Sequence, residues 1–486
     1  MSGEALVNTG APVIWPDENT AYFRVRRMQT KLHQWAQEDP ARRFDDLFNL
    51  VYDPAFLVDA FERVARNKGA RTAGVDGTTV AAVRSRMGRD AFLGQVRYLL
   101  KNGDYQPSET RRVVIPKTNG KLRKLGIPTV IDRVVQASLK SVLEPLFEAD
   151  FLPCSYGFRP NRRAQDAVAE IHGLASAPKN YTWVLEADIA ACFDEIDHTA
   201  LMERLRGRIK DKRTSALVKA FLKSGVMDQS GNREDTITGT PQGGVLSPLL
   251  ANIALTALDE HVAAQWESDG NRRHKRRRQG LGNWKLIRYA DDFVIMVHGE
   301  RHHAQERKAE VAQVLSRLGL RLAEEKTRVV HIDEGFDFLG FHIRRRQKQG
   351  TRKRYVYTIP SKKSVQAIKD TVRRKTNRSA RNTETGMKIS EVDSVVRGWA
   401  NYFRHGVSKK IFSTIDSFTW WRLSSWIRRK HSNINLGELR RRFTDRGWRL
   451  ACNGAVYRGA SSVEVTRYRS RGSKIPMPWP LKSASL

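Results

Sequence analysis

The feature that most constrains this chain is a pair of adjacent carboxylates between two apolar runs. Tyr289-Ala290-Asp291-Asp292 follows Trp284, Leu286 and Ile287 and precedes the apolar run 293–297. This pattern predicts a strand, a tight turn and a second strand, with both acids at the tip. Two acids on so stiff a support could hold divalent cations for phosphoryl transfer. Asp is also an ordinary turn residue, because its side chain can bond to its own backbone, so a purely structural role stays open.

A third acid about a hundred residues upstream favours a metal site. Asp188 lies near the carboxyl end of a short, mostly apolar stretch that predicts a buried strand. A nearly buried Asp costs several kcal/mol unless it is paired or binds metal. In the structural alternative it caps the next helix, a role that Asp194 or Asp197 could fill instead. Asp188, Asp291 and Asp292 together predict two Mg²⁺ about 4 Å apart, and Mn²⁺ suits the same ligands.

The balance of charge indicates a polyanionic partner. The chain has 86 Lys and Arg against 52 Asp and Glu, a net charge of +34. A membrane surface and a ribosome-like structural role are the alternatives. The sequence has no apolar run long enough for a transmembrane helix and no signal-peptide pattern, and its three cysteines form no CxxC pair. We therefore expect a cytoplasmic protein with no membrane partner.

The positive charge is concentrated in two clusters. Between Gly340 and Arg381 there are 15 Lys or Arg and one acid, and residues 272–278 form a second cluster just before the predicted acidic turn. Such runs are usually solvated faces or mobile loops. Because both clusters flank the predicted site in the sequence, they favour contact with phosphate backbones, which does not read base sequence.

Local patterns predict three further elements. Arg112 to Pro128 alternates basic and apolar residues around Thr118-Asn119-Gly120, which predicts a β-hairpin. The pattern predicts a long helix over Gly243 to Val262 and a strand over Phe336 to Ile343.

Ordered blocks from about Lys68 to Gly406 resemble those of bacterial group II intron reverse transcriptases, or maturases. In chain order, the resembling blocks are the extra N-terminal fingers block Lys68–Gly77, motif A at Asp188–Phe193, the PQGG block Gly239–Pro248, motif C at Tyr289–Asp292, the primer-grip hairpin Phe338–Phe341 and the start of the maturase or thumb domain at Arg397–Phe403. Each block is suggestive alone, and their shared order makes the resemblance specific.

The resemblance implies an α+β fold, a right-hand polymerase with fingers and a palm built on an antiparallel sheet, followed by a helical thumb or maturase domain. The expected divisions are a mostly helical N-terminal extension at 1–40, fingers at 41–180, palm at 181–360, thumb or maturase domain X at 361–440, and a basic segment at 441–486 with a possible DNA-binding role. The endonuclease that some members of the family carry at the C-terminus uses a His-Asn-His core with paired cysteines. The last segment contains Cys452 alone, so we expect no such endonuclease, and DNA-strand cleavage would rest on the intron ribozyme.

The resemblance also implies residues that bind the nucleotide. Lys117 and Arg123 would grip the incoming triphosphate through charge-assisted bonds. Phe193 would act as the steric gate against a 2′-hydroxyl, and Gln242 would contact the nucleotide or the template base. Ile189 would offer its backbone carbonyl to a metal. The structural alternatives are two solvated cations, a core Phe and a glycine turn before a helix.

Further positions would contact the template or primer. Gly243 lets the backbone approach nucleic acid closely, and Gly340 belongs to the primer grip. Arg159 would meet the template, although a buried structural Arg fits as well. Lys326 would lie near the primer terminus, with a surface lysine as its alternative. Ala190-Ala191 replaces the Lys-Gly that the family usually shows, so no contact is inferred there.

These observations predict an RNA-directed DNA polymerase encoded by a group II intron that also acts as maturase in splicing and retrohoming. Its partners would be intron RNA, an RNA template, a DNA primer, target DNA and dNTPs. One alternative is an RNA-binding maturase without polymerase activity, although the intact Asp188, Asp291, Asp292 and Phe193 argue against it. The other is a related enzyme recruited to phage defence or CRISPR adaptation, against which the maturase-like segment from Arg397 argues.

Overall fold

A computed structural model describes residues 13–116, 122–228, 231–240, 243–377, 382–445 and 447–479. Helices dominate these ranges, alone at the N-terminal end and around small sheets elsewhere. The α-helices there are α1 Glu18–Glu38, α2 Phe48–Val51, α3 Pro54–Arg66, α4 Val80–Arg86, α5 Arg89–Asn102, α6 Val130–Asp150, α7 Ala164–Ala175, α8 Cys192–Glu195, α9 His198–Arg208, α10 Lys212–Leu222, α11 Ser247–Ala264, α12 Gly270–Arg278, α13 Arg301–Ser316, α14 Lys362–Lys375, α15 Thr385–Phe403, α16 Lys409–Lys430 and α17 Leu436–Phe443.

The described strands form four small sheets. They are β1 Thr110–Pro116, β2 Leu122–Ile127, β3 Trp183–Asp188, β4 Val226–Met227, β5 Arg233–Glu234, β6 Asn283–Tyr289, β7 Asp292–His298, β8 Arg328–His331, β9 Phe336–Phe338, β10 Phe341–Gln347, β11 Arg354–Pro360, β12 Thr444–Asp445, β13 Arg449–Cys452 and β14 Ala455–Val456. The strand orders are β2-β1-β4-β5, β6-β7-β3-β8, β11-β10-β9 and β12-β13-β14.

The central sheet, β6-β7-β3-β8, is antiparallel throughout and lies between two hydrophobic cores. Successive side chains of a strand point to opposite faces. On β7, Phe293, Ile295 and Val297 therefore pack into the core built with the N-terminal helices, and Val294 and Met296 pack into the core shared with the C-terminal helices. Burial on both faces explains why this strand reads as a continuous apolar run.

The N-terminal helices pack around α6. Helix α1 lies against it, and the Gln29 amide donates to the Ser141 carbonyl at 2.8 Å. The segment 68–77, the predicted extra fingers block, is held to the start of α6 by Arg133. Its guanidinium donates to the Gly69 and Thr72 carbonyls at 2.7 and 2.6 Å.

Strands β1 and β2 form the hairpin that the sequence predicts over 112–128, with Ile115 paired to Arg123. β4 extends this sheet on the other side of β1 as a parallel neighbour. Residues 117–121, which follow β1 in the sequence and include Lys117, lie outside the described residues.

Beyond α17 the chain returns to the rest of the molecule. Arg471 pairs with Asp166 at the start of α7, and the buried Trp479 indole donates to Gln29 on α1 at 3.1 Å. The segment that runs to Trp479 therefore connects the C-terminal helices to α7 and to α1.

Two sequence expectations need correction. The helix predicted from Gly243 begins at Ser247, because Gly243 has a φ of +114° and residues before α11 form a turn. The strand predicted over 336–343 is broken into β9 and β10, because Leu339 and Gly340 both have positive φ.

The predicted α+β class is confirmed, with an antiparallel palm sheet followed by a helical C-terminal part. Among the described residues, none of the helices is both long and apolar enough to cross a bilayer.

Candidate active site

The three predicted aspartates meet at one end of the central sheet. Asp188 ends β3 and is paired directly with Asp292, the first residue of β7. Tyr289 and Asp292 close the β6–β7 hairpin, so Ala290 and Asp291 form its two-residue tip. Directly opposite residues of an antiparallel pair have Cβ atoms about 5 Å apart. The fold therefore brings the three carboxylates together.

Electrostatics at this tip favour a cation. Burial of its carboxyl, together with the charges of Asp291 and Asp188, raises the pKa of Asp292 to about 7. Burial and the charge of Asp188 also raise the pKa of Asp291, against the opposing charges of Arg123 and Lys326. Like charges held this close cannot all ionise without compensation. Arg123 from the fingers hairpin is thus close enough to act on the acidic tip.

Lys326 supplies part of that compensation through an ion pair with Asp188. The hydrogen bond to Asp188 and, to a smaller extent, the negative charge of that carboxylate raise the pKa of Lys326. Backbone pairing places the lysine there, because the Ala323 amide donates to the Asp188 carbonyl at 2.8 Å. The Ala190 amide also donates to the Arg321 carbonyl nearby. Neither of these two hydrogen bonds uses the Ile189 carbonyl oxygen, which the sequence analysis predicts to contact a metal.

The donor chemistry fits hard divalent cations, which prefer carboxylate and carbonyl oxygens. Among the described residues, no group of three or more His, Cys, Asp or Glu side chains is arranged to hold a metal ion in this structure. At the acidic tip, the Lys326 ammonium is bound to Asp188. A metal at this site would have to share Asp188 with that lysine or replace it.

The turn is supported from behind by the segment 154–157. The Arg288 amide donates to the Cys154 carbonyl and the Tyr156 amide to the Arg288 carbonyl, both at 2.8 Å. Gly157 follows so closely that a Cβ on it would lie 2.3 Å from the Ala290 nitrogen. Ala290 has a φ of +60°, a conformation that costs an alanine free energy and needs such support.

A buried polar network under the turn was missed by the sequence analysis. Arg288 is fully buried and binds both carboxylate oxygens of the equally buried Asp259 on α11, at 2.7 and 2.5 Å. It also donates to the Ala290 carbonyl and to Asn252, each at 3.0 Å. The Asn252 amide in turn donates to Gly157 at 2.9 Å. The signal in the sequence was one arginine in an apolar strand and one aspartate in an apolar helix.

Phe193 lies in the short helix α8 just after the first aspartate, half-buried, with its ring 6.4 Å from that of Phe158. The PQGG block crosses over it, since the Thr240 amide donates to the Phe193 carbonyl at 2.5 Å. Asp197 caps α9 by accepting from Ala200 at 2.8 Å. The helix-capping role considered for Asp188 is therefore filled by Asp197.

The PQGG block also touches the fingers hairpin. A Cβ on Gly243 would lie 2.7 Å from the Gly126 carbonyl oxygen of β2. Gln242 lies outside the described residues. The structure thus brings Gly243 against β2, the strand that carries Arg123.

The predicted primer-grip turn contacts the C-terminal helices. Gly340 accepts from the Ser361 amide and the Ser364 hydroxyl, both at 2.9 Å, at the start of α14. The Tyr402 hydroxyl on α15 donates to the Leu339 carbonyl at 2.9 Å. The turn therefore fixes the central part of the chain against the helical part.

Arg159 fits its structural alternative. The side chain is buried and binds Glu148 through Nε and Nη2, at 3.0 and 2.6 Å. Its other donors go to the carbonyls of Leu152, Ser155 and Phe151. No N–H group of this guanidinium is left for a template.

The basic cluster 272–278 also needs correction. It forms α12 and precedes Asn283, the end of β6 farthest from the acidic turn. It flanks the site in sequence but lies at the opposite end of the hairpin in space.

Two family models match successive parts of this chain. A family model described as reverse transcriptase (RNA-dependent DNA polymerase) matches residues 115–343, and one described as group II intron, maturase-specific domain, matches residues 365–448. A telomerase structure from Candida albicans in complex with a telomeric RNA fragment has a TM-score of 0.38 and 13% identity, over 68% of this chain and 63% of that one.

Two curated bacterial proteins are more similar in sequence. Protein YkfC of Escherichia coli is 36% identical over 70% of this chain and 93% of its own length. The group II intron-encoded protein LtrA of Lactococcus lactis is 32% identical over 66% of this chain and 60% of its own. This chain belongs to the reverse transcriptases, the RNA-dependent DNA polymerases, and within them to the group II intron-encoded proteins that carry a maturase-specific domain.

Proposed function

We propose that this chain copies RNA into DNA with two Mg²⁺ held by Asp188, Asp291 and Asp292, and that it also acts as the maturase of a group II intron in splicing and retrohoming. The polymerase part rests mainly on one observation. Three carboxylates meet at the ends of paired strands and in the turn between two of them, where burial and the neighbouring negative charges raise the pKa values of Asp291 and Asp292.

When bound, the metal ions would lower the pKa of the attacking primer hydroxyl and stabilise the charge on the leaving pyrophosphate. Arg123 and Lys117 would orient the triphosphate, and the Phe193 ring would exclude a 2′-hydroxyl. The Lys326 ammonium would balance the charge of Asp188 before the substrates arrive. The buried Arg288 network would hold the acidic turn in place during turnover.

Primer extension on an RNA template with dNTPs and Mg²⁺ tests the polymerase proposal. Asp292→Asn keeps the size of the side chain and removes its charge, and Asp370→Asn, at an exposed acid of α14, is the matched control. We expect extension by the wild type and by Asp370→Asn, and a loss of at least about 10³-fold in Asp292→Asn. A folded wild type that binds RNA but extends no primer would favour the RNA-binding maturase instead.

The maturase proposal is supported by a basic face that α14 and α16 share. Lys369 and Arg373 lie over the Phe418 ring at 5.5 and 5.2 Å, and Trp421 nearby in sequence is 64% exposed. Cations bind phosphates, and exposed aromatic rings stack on unpaired bases. In this proposal the fingers span 41–180, the palm 181–360 and the thumb or domain X 361–440. Target DNA and dNTPs are further proposed partners.

Splicing of a group II intron precursor RNA at low Mg²⁺ tests this second part. We expect the wild type to accelerate splicing and the variant Lys369→Gln/Arg373→Gln/Trp421→Ala to lose most of that acceleration while retaining primer extension. The control is Lys212→Gln/Lys219→Gln/Lys223→Gln on and beside α10. Acceleration that is equal in all three proteins would contradict a role for this face.

A further inference from the structure

Helix α12 carries a concentration of positively charged side chains. Its residues from Arg272 to Arg278 are all Lys, Arg or His, and within this fully described helix none is buried. Like charges one turn apart on a helix repel each other. Repulsion between these side chains therefore destabilises α12, and an anionic partner would reduce that repulsion.

Three of its arginines attach the helix to the protein without losing their charge. Arg276 donates to the Gly282 carbonyl and Arg277 to the Lys179 carbonyl, each at 2.9 Å, and Arg273 donates to the Ser268 carbonyl. All three acceptors are backbone carbonyls. These contacts orient the helix but leave its net charge in place.

The remaining cations form the outer face. Arg272, Lys275 and Arg278 are exposed and spaced three residues apart, so they lie along one side of the helix over about 9 Å. None of the three side chains forms a hydrogen bond or an ion pair with any residue that the structure describes. Asp269, which caps the helix by accepting from the Arg272 amide, is the carboxylate at its start.

This face is remote from the acidic turn. α12 connects to β6 at Asn283, and β6 ends at Tyr289 beside the turn. A strand rises about 3.4 Å per residue, which puts about 20 Å between its ends. A nucleic acid bound at the three aspartates would have to extend well beyond the active site to reach α12.

We propose that Arg272, Lys275 and Arg278 form a docking surface for the phosphate backbone of a folded, helical RNA, separate from the template–primer cleft. Proteins recognise RNA helices mainly through their shape, phosphates and 2′-hydroxyls. The α12 sequence contains no aromatic residue, which unpaired bases would need for stacking. The inference rests on the RNA-binding part of the proposed function and not on the polymerase chemistry.

The test measures binding of the full chain to an RNA duplex closed by a loop at each end, so that no end can enter the cleft. Affinity is measured by fluorescence anisotropy over a range of salt concentrations for the wild type, for Arg272→Gln/Lys275→Gln/Arg278→Gln, and for the control Lys212→Gln/Lys219→Gln/Lys223→Gln. Both variants lose three charges. We expect the α12 variant to bind more weakly, with a slope of log affinity against log salt that is shallower by about 2–3. The control should match the wild type.

Several results would overturn the proposal. One is equal affinity of the α12 variant and the wild type for the closed RNA duplex. Another is an equal loss of affinity in the α12 variant and in the control variant, which would indicate that binding depends on total charge and not on α12. A loss confined to a DNA duplex or to anionic phosphatidylserine vesicles, with RNA binding intact, would assign the face to another partner. Loss of primer extension by the α12 variant at saturating template and primer would place α12 in the cleft.

The test also separates the two proposals. If the wild type extends primers but does not bind the closed RNA duplex, the docking-surface proposal is wrong and the polymerase proposal is unaffected. If duplex binding depends on α12 but the wild type extends no primer, the polymerase proposal is wrong and the docking-surface proposal is supported.

Discussion

Gly157 packs against the backbone of Ala290 so closely that any side chain on Gly157 would displace the acidic turn, since a Cβ there would lie 2.3 Å from the Ala290 nitrogen. We expect Gly157→Ala to reduce primer extension by about 100-fold, because a displacement of about 1 Å at catalytic groups costs that much. The control is Gly173→Ala in α7, where a Cβ meets no atom within 4 Å among the described residues. Full activity of Gly157→Ala would show that the contact is not needed.

The Arg288–Asp259 pair should stabilise the palm only while both partners are present. Removal of one partner from a buried ion pair leaves a charge without compensation, so Asp259→Leu should lower the free energy of unfolding by about 3–5 kcal/mol. Arg288→Met/Asp259→Leu removes both charges and should recover part of that loss, as urea unfolding would measure.

Activity should not recover with stability in that double variant. The Ala290 carbonyl and Asn252 lose the Arg288 donor in it, so the acidic turn loses its support. We expect primer extension to stay well below the wild type. A double variant that regains both stability and activity would mean that Arg288 does not position the turn.

Ionisation of Asp292 should cost the metal-free protein stability as pH rises. The carboxyl of Asp292 has a folded-state pKa raised to about 7, against about 3.9 in an unfolded chain. Between these values this carboxyl binds more protons in the folded state than in the unfolded state, so its contribution to the free energy of unfolding falls as pH increases. In EDTA, the Tm of the wild type should therefore fall relative to that of Asp292→Asn from pH 4 to pH 7.

Mg²⁺ should reverse this loss at high pH, because it binds the ionised carboxylates. At pH 8 we expect Mg²⁺ to raise the Tm of the wild type and of Asp370→Asn, but much less that of Asp292→Asn. If the Tm of the wild type and the Tm of Asp292→Asn had the same pH dependence, the charge of Asp292 would have no effect on stability.

The Phe193 ring should control the choice of sugar. Without it, a 2′-hydroxyl meets no obstacle, so Phe193→Ala should raise ribonucleotide use relative to deoxynucleotide use by about 10- to 100-fold. Single-nucleotide incorporation measures this ratio. Phe158→Ala removes the neighbouring ring 6.4 Å away and should leave the ratio unchanged. Equal ratios in Phe193→Ala and the wild type would contradict the steric gate.

Local sequence pattern was sufficient for the elements that carry the acids. Alternating and continuous apolar runs predicted β3, β6 and β7, and the paired aspartates predicted the turn between the last two. The sequence also grouped Asp188 with this pair, because a nearly buried Asp at the end of an apolar strand needs a partner or a metal, and the observed pairing places Asp188 directly opposite Asp292.

Other features depend on contacts between distant parts of the chain. Arg288 and Asp259 lie on a strand and a helix, so neither residue's neighbours in sequence reveal the pair. The charge of α12 was visible, and its place just before β6 already puts it at the end of that strand away from the turn, which the sequence analysis did not take into account. The connection from Trp479 to Gln29 spans nearly the whole chain and has no local signal.

The number of metal ions at the acidic turn tests the central claim most directly. Electron paramagnetic resonance can count Mn²⁺ bound to the full chain in complex with an RNA template, a DNA primer that ends in a dideoxynucleotide, and the next dNTP. We predict two more bound ions for the wild type than for Asp188→Asn/Asp291→Asn/Asp292→Asn with the same nucleic acids. The same number of bound ions in both proteins, with the complex formed in each, would contradict a two-metal site built on these three aspartates.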